Sequence, residues 1–373
     1  MIDVLLDARM IRHSGIGTYL RGLWGEFQGH SFFKNHSLGL AVNLKAGLLR
    51  NDLNGRFPTS HFYSPIYSLQ EQLEYPLRMS NCRLWHAPHY NAPVWKNTKL
   101  VVTIHDVIHW IFRGQFFTPL QSAYARFFIQ NALRKADRVI AVSQKTREDL
   151  IQYFNAPPGK IRVVYEGVSP LFFESPKPEE RRELLAKYGL PEKFYLYVGL
   201  IKPHKNVKRL IDVYQKLRRD RKIDSALVLV GKKDKRYPAG YETLKNLKTE
   251  EGIHYMAGLD SEKELRSLYH SAHALVHPSL YEGFGLTVLE AMASGTPVIV
   301  SSAASLPEVA GDAAHYIDPH SVDSMAEALI EFEENSRRLE NLAEKGKEQA
   351  KKFSWAKAAE ETIRVYEEVL SSS

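Results

Sequence analysis

The feature of this sequence that most narrows its fold is a series of short, nearly continuous apolar runs, each followed by a helical pattern. The runs "DVLLD", "KLVVTIHD", "RVIAVS" and "KIRVVYEG" make a first series, and "FYLYVGL", "SALVLVGK", "GIHYMAG", "HALVHPS" and "TPVIVSS" make a second. A strand with one face in water alternates apolar and polar residues, whereas a strand covered on both faces does not. Unbroken runs separated by helical patterns therefore predict parallel sheets with helices on both sides. The polar, proline-bearing stretch "ESPKPEERREL" lies between the two series and reads as a junction.

A length of 373 residues exceeds what one hydrophobic core usually organises. The expectation is an α/β chain of two doubly wound, Rossmann-like domains, residues 1–170 and 171–353, with the junction near 168–190. The last helical stretch, within 354–373, is able to pack on either domain, including back on the first. Cys82 is the single cysteine, which excludes an internal disulfide and a cysteine-based zinc site. The opening "MIDVLLDARM" places Asp3 and Asp7 where a signal peptide needs an apolar core, and no run approaches the ~20 residues of a membrane span. A cytoplasmic protein is expected. Residues 1–170 carry 20 Lys and Arg against 11 Asp and Glu, and residues 171–373 carry 30 against 32. A basic first half favours phosphorylated small molecules, nucleic acid or an anionic membrane, and charge alone does not choose among them.

The stretch "PSLYEGFGLTVLEAMASG", residues 278–295, narrows the choice. "HALVHPSL" reads as a strand, "YEGFG" as a turn and "TVLEAMASG" as a helix closed by Gly295. Glu282 then stands outside the helix start and Glu290 roughly two turns later, so the two acids do not touch one atom. Free N–H groups and the dipole at the helix start favour an anion, and Gly283 and Gly285 let backbone approach it. A carboxylate beside an anion serves an uncharged, hydroxyl-rich part of the same ligand. A second carboxylate suits a ribose diol, as in dinucleotide sites. A nucleotide sugar meets all these demands. The bland alternative makes Glu282 an acid bonded to backbone donors at the helix start and Glu290 a solvated helix residue.

In "YVGLIKPHKNVKRLIDVY" a strand ends at Gly199 and a helix begins near Asn206. Lys202 and Lys205 then sit in a turn at the carboxyl edge of the second sheet, suited to a diphosphate or simply exposed. "RHSGIGTYLRGL" puts Gly15 and Gly17 between the first strand and first helix. The dinucleotide fingerprint fails there, because Leu20 stands where it needs Gly or Ala.

Together "SGIGTY" (14–19), "TIHDVIH" (103–109), "ADRVIAVS" (136–143), "YVGLIKPHKN" (197–206), "HPSLYEGFGLTVLEAMASGTPVI" (277–299) and "SLPEVAGDAA" (305–314) resemble glycosyltransferase family 4. These are retaining nucleotide-sugar enzymes of GT-B fold, two Rossmann-like domains facing each other across a cleft. In detail the pattern is similar to the bacterial mannosyltransferase subgroup of O-antigen and polysaccharide synthesis. The resemblance implies that Glu282 and the amides of Gly283, Phe284, Gly285, Leu286 and Thr287 hold sugar and phosphate. It gives Glu290 to the ribose and Lys205 to the diphosphate. His105 would lie against the donor sugar, Gly15 and Gly17 by the phosphates, and the loop around Met256, Gly258 and Leu259 by the nucleobase. The pattern departs from the family at Leu200 and His204, where arginine is usual, with Lys202 a replacement for one lost cation. Thr18 and Thr287 also depart.

No D-x-D sequence occurs, so lysine and helix dipole are expected to stabilise the leaving diphosphate without a metal or other cofactor. Retention implies a front-face reaction, although a double displacement through a carboxylate stays open. The donor expected is GDP-mannose. The acceptor expected is a glycan or lipid-linked glycan, with the aromatic and basic run 110–128, which holds Arg113 and Arg126, either resting on an anionic membrane or packed as an amphipathic helix on its own sheet. No nucleic-acid module accompanies the run. Other sugar donors (UDP-glucose, UDP- or dTDP-rhamnose), a GT-B epimerase and a noncatalytic glycan binder remain as alternatives.

Overall fold

The computed structural model describes residues 1–43, 57–232 and 251–372. The chain divides into two compact units, Met1–Gly167 with Ser354–Ser373, and Val168–Phe353.

In the first unit, strands β1 (Ile2–Asp7), β2 (Leu38–Asn43), β3 (Thr59–Phe62), β4 (Cys82–Ala87), β5 (Lys99–Ile104), β6 (Arg138–Ala141) and β7 (Ile161–Val163) pair in parallel in the order β3-β2-β1-β4-β5-β6-β7. Val4, Leu5 and Leu6 of β1 and Leu100, Val101 and Val102 of β5 are fully buried, which is why those runs carry no alternation. The final helix, Trp355–Ser371, belongs to this unit and lies across β4, β5 and β6. A buried polar network fixes it. His86 Nδ1 lies 2.6 Å from the Tyr366 hydroxyl and Nε2 lies 2.8 Å from Thr103 Oγ1, while the Tyr19 hydroxyl meets the same Oγ1 at 2.9 Å. Burial, with the neighbouring His105 adding to it, pushes the His86 imidazole down to about 3, so the ring enters the network neutral. Helix Ile16–Phe27 approaches the Trp355 indole at Gly22, where a Cβ would collide with the ring.

In the second unit, β8 (Phe194–Val198), β9 (Ala226–Val230), β10 (Ile253–Met256), β11 (Ala274–His277), β12 (Val298–Ser301) and β13 (His315–Ile317) pair in parallel in the order β10-β9-β8-β11-β12-β13. Helix Val207–Arg219 buries Val207, Leu210, Ile211, Tyr214 and Leu217, the i, i+3, i+4, i+7 stripe of a helix laid on a sheet. Among the described residues no helix is long and apolar enough to cross a membrane.

In each sheet the strand order reverses beside the first strand, between β1 and β4 and between β8 and β11. Loops leaving the carboxyl ends of those neighbours diverge and open a crevice, which is where ligands bind in such sheets.

Candidate active site

At the switch point of the second sheet, β8 leads through a turn with a short 3-10 segment, Pro203–Lys205, into helix Val207–Arg219. Its neighbour β11 leads through residues 278–285 into helix Leu286–Ala293. Asn206 ties the two turns. It adopts a left-handed backbone (φ 59°) and donates its amide to the carbonyls of Pro278 at 3.1 Å and Pro319 at 2.8 Å. Leu280 N–H donates to the His204 carbonyl at 2.7 Å, and Ser305 Oγ donates to the carbonyls of Glu282 and Phe284. His204, expected at an arginine position, is buried.

This framework brings Lys205, Glu282 and His277 together. Lys205 Nζ lies 2.6 and 2.7 Å from the two Glu282 carboxylate oxygens. His277 Nε2 lies 2.8 Å from Glu282 Oε1 and 3.2 Å from Ser279 Oγ. Because Nε2 faces a carboxylate it carries the hydrogen, and Nδ1 is buried without a hydrogen-bond partner among the described residues. Burial alone would raise the Glu282 carboxyl; the Lys205 charge and the His277 hydrogen bond outweigh it and hold the group well below the usual carboxylate range. Glu282 is thus ionised and bonded to side chains, which removes the reading of it as a backbone-bonded acid. The reading of Lys205 needs adjustment too, since in this state it neutralises Glu282. His277 stands in a quoted motif, but an isolated histidine at a strand end carries no signal that it will meet a carboxylate five residues on.

Gly285 starts the helix with φ 125°, a conformation that side chains other than hydrogen rarely adopt, and a Cβ there would lie 2.9 Å from Leu306. The first-turn N–H groups, those of Leu286 and Thr287, have no carbonyl one turn back to bond. The helix ends with Gly295 at φ 70°, as expected, its N–H reaching the Met292 carbonyl at 2.9 Å. Glu290 sits on this helix, and its Oε2 accepts from the buried Tyr269 hydroxyl at 3.0 Å. It is an anchored acid, not a merely solvated one. Lys202 is half-buried at the start of its turn. Met256 belongs to β10 instead of the following loop; its side chain is buried and its carbonyl accepts from Gly231 N–H at 2.9 Å. Gly258 and Leu259 do lie in the loop beyond.

In the first unit Gly15 caps helix Ile16–Phe27 with φ 68° and is exposed. Gly17 lies inside the first helical turn, not before it, and is buried where a Cβ would not fit, since it would sit 2.6 Å from the Ile11 carbonyl oxygen. His105 follows β5. Its Nδ1 lies 3.0 Å from Glu166 Oε1, its Nε2 lies 2.9 Å from the Pro88 carbonyl oxygen, and Tyr19 meets the ring edge-on at 5.0 Å. Both ring nitrogens are therefore engaged by oxygens of its own unit. At the β1–β4 switch point Arg9 donates to Asp7 at 2.8 and 2.6 Å and to the Tyr75 hydroxyl at 2.6 Å, and Nη1 lies 2.8 Å from Glu71 Oε1. Sequence reasoning did not single out this cluster. Arg113 and Arg126 both lie over the Trp110 ring, at 4.3 and 4.7 Å, and helix Pro119–Lys135 buries Ala125, Phe128, Ile129, Ala132 and Leu133. The run 110–128 is folded on itself and on its sheet. Among the described residues no cluster of three or more His, Cys, Asp or Glu side chains is arranged to hold a metal.

An ionised acid, a lysine and an open helix start at a switch point suit an anionic, hydroxyl-bearing ligand. Residues 179–349 match the glycosyl transferases group 1 family and residues 48–170 match Glycosyltransferase Family 4. The chain belongs to glycosyltransferase family 4 and is a glycosyltransferase of GT-B fold. It is 32% identical to an O-antigen chain mannosyltransferase B of Escherichia coli over 76% of this chain and 74% of that one. It is 28% identical to the O-antigen chain mannosyltransferase RfbU of Salmonella typhimurium over 72% and 70%. The fold is similar to that of a Thermosynechococcus elongatus sucrose-phosphate synthase, with a TM-score of 0.78 at 20% identity and full coverage of both chains. It is likewise similar to Anabaena HepE in complex with UDP-glucose, with a TM-score of 0.77 at 16% identity over 99% of this chain and all of that one.

Proposed function

We propose that this glycosyltransferase moves mannose from GDP-mannose to a glycan or lipid-linked glycan acceptor in polysaccharide or O-antigen synthesis, retaining the anomeric configuration. The observation that carries the reading is the Lys205–Glu282–His277 cluster beside the start of helix Leu286–Ala293. The names of the two enterobacterial relatives support mannose as the sugar.

When the donor binds, its diphosphate competes with Glu282 for Lys205. Lys205 and the helix N–H groups neutralise the charge that develops on the leaving nucleoside diphosphate. Glu282 Oε2, released by the lysine, accepts hydrogen bonds from sugar hydroxyls, while His277 holds Oε1 and so fixes the carboxylate. Glu290, oriented by Tyr269, accepts from the ribose hydroxyls, and Gly258 and Leu259 lie by the base. The departing phosphate oxygen takes the proton of the acceptor hydroxyl as the new glycosidic bond forms on the same face. Lys205 and the helix start replace a metal in this scheme. EDTA should leave the rate intact, and activity lost to EDTA and restored by manganese would overturn that part.

The test is product formation from labelled GDP-, UDP- and dTDP-sugars with a lipid-linked or synthetic glycan acceptor, followed by anomeric assignment from one-bond carbon–proton coupling. An α-mannoside formed from GDP-mannose is expected. Turnover of a UDP- or dTDP-sugar with GDP-mannose inert would overturn the donor. A β-mannoside would overturn retention, and a changed sugar without acceptor would mark an epimerase.

A further inference from the structure

Moving Lys205 onto a donor diphosphate leaves Glu282 without its cation. The lysine holds both carboxylate oxygens, at 2.6 and 2.7 Å, and the two side chains are only 18% and 12% exposed. A sugar diphosphate brings negative charge of its own, and a carboxylate largely shut off from water is costly without a cation. Sugar hydroxyls bond to such a group but carry no charge. Glu282 therefore needs a second counter-ion in the donor-bound state, one that does not leave with the diphosphate.

His277 stands where that counter-ion is wanted. It ends β11 with its side chain 2% exposed, and its Nε2 lies 2.8 Å from Glu282 Oε1 and 3.2 Å from Ser279 Oγ. With the hydrogen on Nε2, Nδ1 keeps an open lone pair, and that atom has no hydrogen-bond partner among the described residues. The groups facing the pair come from four places. Lys205 reaches it from the turn after β8. From β8 itself the Tyr197 ring lies parallel to the imidazole, centroids 6.2 Å apart, and its hydroxyl donates to the Leu200 carbonyl at 3.2 Å. Burial and the Glu282 charge push that hydroxyl well above its ordinary range, so it stays neutral. Ser279 follows β11, and Ser305, in the turn after β12, donates to the Glu282 backbone carbonyl at 2.9 Å. Among the described residues no lysine or arginine besides Lys205 bonds to Glu282, and no acid besides Glu282 bonds to His277.

Imidazole is the side chain whose charge changes most readily near neutral pH. We propose that His277 replaces Lys205 as the counter-ion of Glu282 when the donor binds. As the diphosphate draws the ammonium away, Nδ1 takes one proton from solvent and the imidazolium keeps its Nε2–H on Oε1. This step extends the proposed transfer of Lys205 from Glu282 to the diphosphate and rests on it. The bond from His277 to Glu282 becomes one between two charges, so the carboxylate is held more firmly and stays ionised for the sugar hydroxyls. Departure of the nucleoside diphosphate returns Lys205 to Glu282 and the proton to solvent. His277 is thus a positioning residue, and donor binding takes up a proton that a merely structural histidine would not.

Calorimetry counts that proton. A sugar diphosphate is esterified at both ends and, unlike GDP, has no terminal phosphate that titrates near neutral pH. GDP-mannose, UDP-glucose and dTDP-rhamnose are each titrated into the full chain at about pH 6.5, inside the range where histidine changes charge. The titrations are repeated in buffers of different ionisation enthalpy, and the slope of heat against that enthalpy gives the protons taken up. Uptake approaching one proton per donor is expected, with affinity rising up to ~10-fold per unit as pH falls. His277→Gln keeps a hydrogen-bond donor toward Oε1 and has no site for the proton, so it should abolish the uptake and flatten the pH dependence of donor affinity. Glu282→Gln removes the charge to be balanced and should abolish the uptake too. Donor binding without uptake in the wild type overturns the proposal and leaves the donor assignment standing. Uptake that persists in His277→Gln places the proton elsewhere and overturns it as well. Should His277→Gln fail to fold, by its melting temperature, unchanged uptake in Glu282→Gln does the same. Uptake with another sugar nucleotide while GDP-mannose does not bind would overturn the mannose donor and support the role of His277. Binding of none of the three would overturn both.

Discussion

The two sheets place ion pairs at equivalent points, and the pairs differ in what they permit. Beside β1, Arg9 and Glu71 have side chains only 2% and 0% exposed, and the guanidinium also holds Asp7 and Tyr75 and lies over the Phe62 ring. Beside β8, Lys205 and Glu282 are 18% and 12% exposed, and the lysine reaches one carboxylate through a single flexible stem. A buried arginine with several fixed partners cannot leave without stranding charge in a medium of low dielectric. A lysine at the rim of a crevice can exchange one anion for another at little cost. The first cluster is suited to holding a loop still, and the second to receiving a ligand.

Breaking the first pair should therefore act on folding. Arg9→Ala strands Asp7 and Glu71 in the interior and should cost about 3–5 kcal/mol of stability, the scale for removing one partner of a buried pair. Chemical denaturation checks this; a change under 1 kcal/mol would mean that water already reaches the cluster. Breaking the second should act on chemistry. Glu282→Gln should lower kcat by ~100- to 1,000-fold, equivalent to about 2.7–4 kcal/mol. Glu290→Gln should instead raise the donor KM with kcat nearly kept, because it binds a spectator ribose. Equal, small effects from both would remove the distinction between reacting and spectator ends of the donor.

Lys205→Ala should follow, with a loss of ~100-fold in kcat/KM. Lys202→Ala should cost less unless it has taken over the charge absent at Leu200. If neither lysine matters, the diphosphate lies elsewhere and the resemblance between the two clusters is only one of position.

The same contrast explains what was legible in advance. Strands β8, β9, β11 and β12 of the second unit stand out because burial on both faces leaves unbroken apolar runs such as "ALVLV" in β9. In the first unit, β3 ("TSHF") and β4 ("CRLWHA") carry polar residues. The polarity of β4 is repaid by His86 bonding to Tyr366, 280 positions away, which no local pattern reveals. Gly295, Asn206 and the Lys205 turn were readable because helix ends and turns are local. That Lys205 bonds Glu282, 77 positions on, and that Glu71 meets Arg9 are products of strand order. Sequence spacing shows which groups sit at a sheet edge and leaves their pairing to the topology.

The smallest expected effect separates the clusters by sign. Burial raises the Glu71 carboxyl, with Arg9 only partly offsetting it, whereas Lys205 and His277 overcome burial and lower Glu282. A folded state that binds the proton more tightly than the unfolded chain loses stability as pH rises through that interval. One that binds it less tightly loses stability as pH falls. Glu71 therefore contributes less at neutral pH than in acid. Glu282 contributes fully above the unfolded value near 4.5, and that contribution drains away as pH drops toward its folded value. As pH falls from 5 to 3 the wild type should thus lose stability that Glu282→Gln has no means to lose, read as a shallower fall of melting temperature in the variant. Lys205→Ala should flatten the slope partially, because His277 still holds Oε1. A variant slope as steep as wild type would mean that Lys205 does not reach Glu282 in solution, and the exchange of Glu282 for a donor diphosphate would lose its starting point.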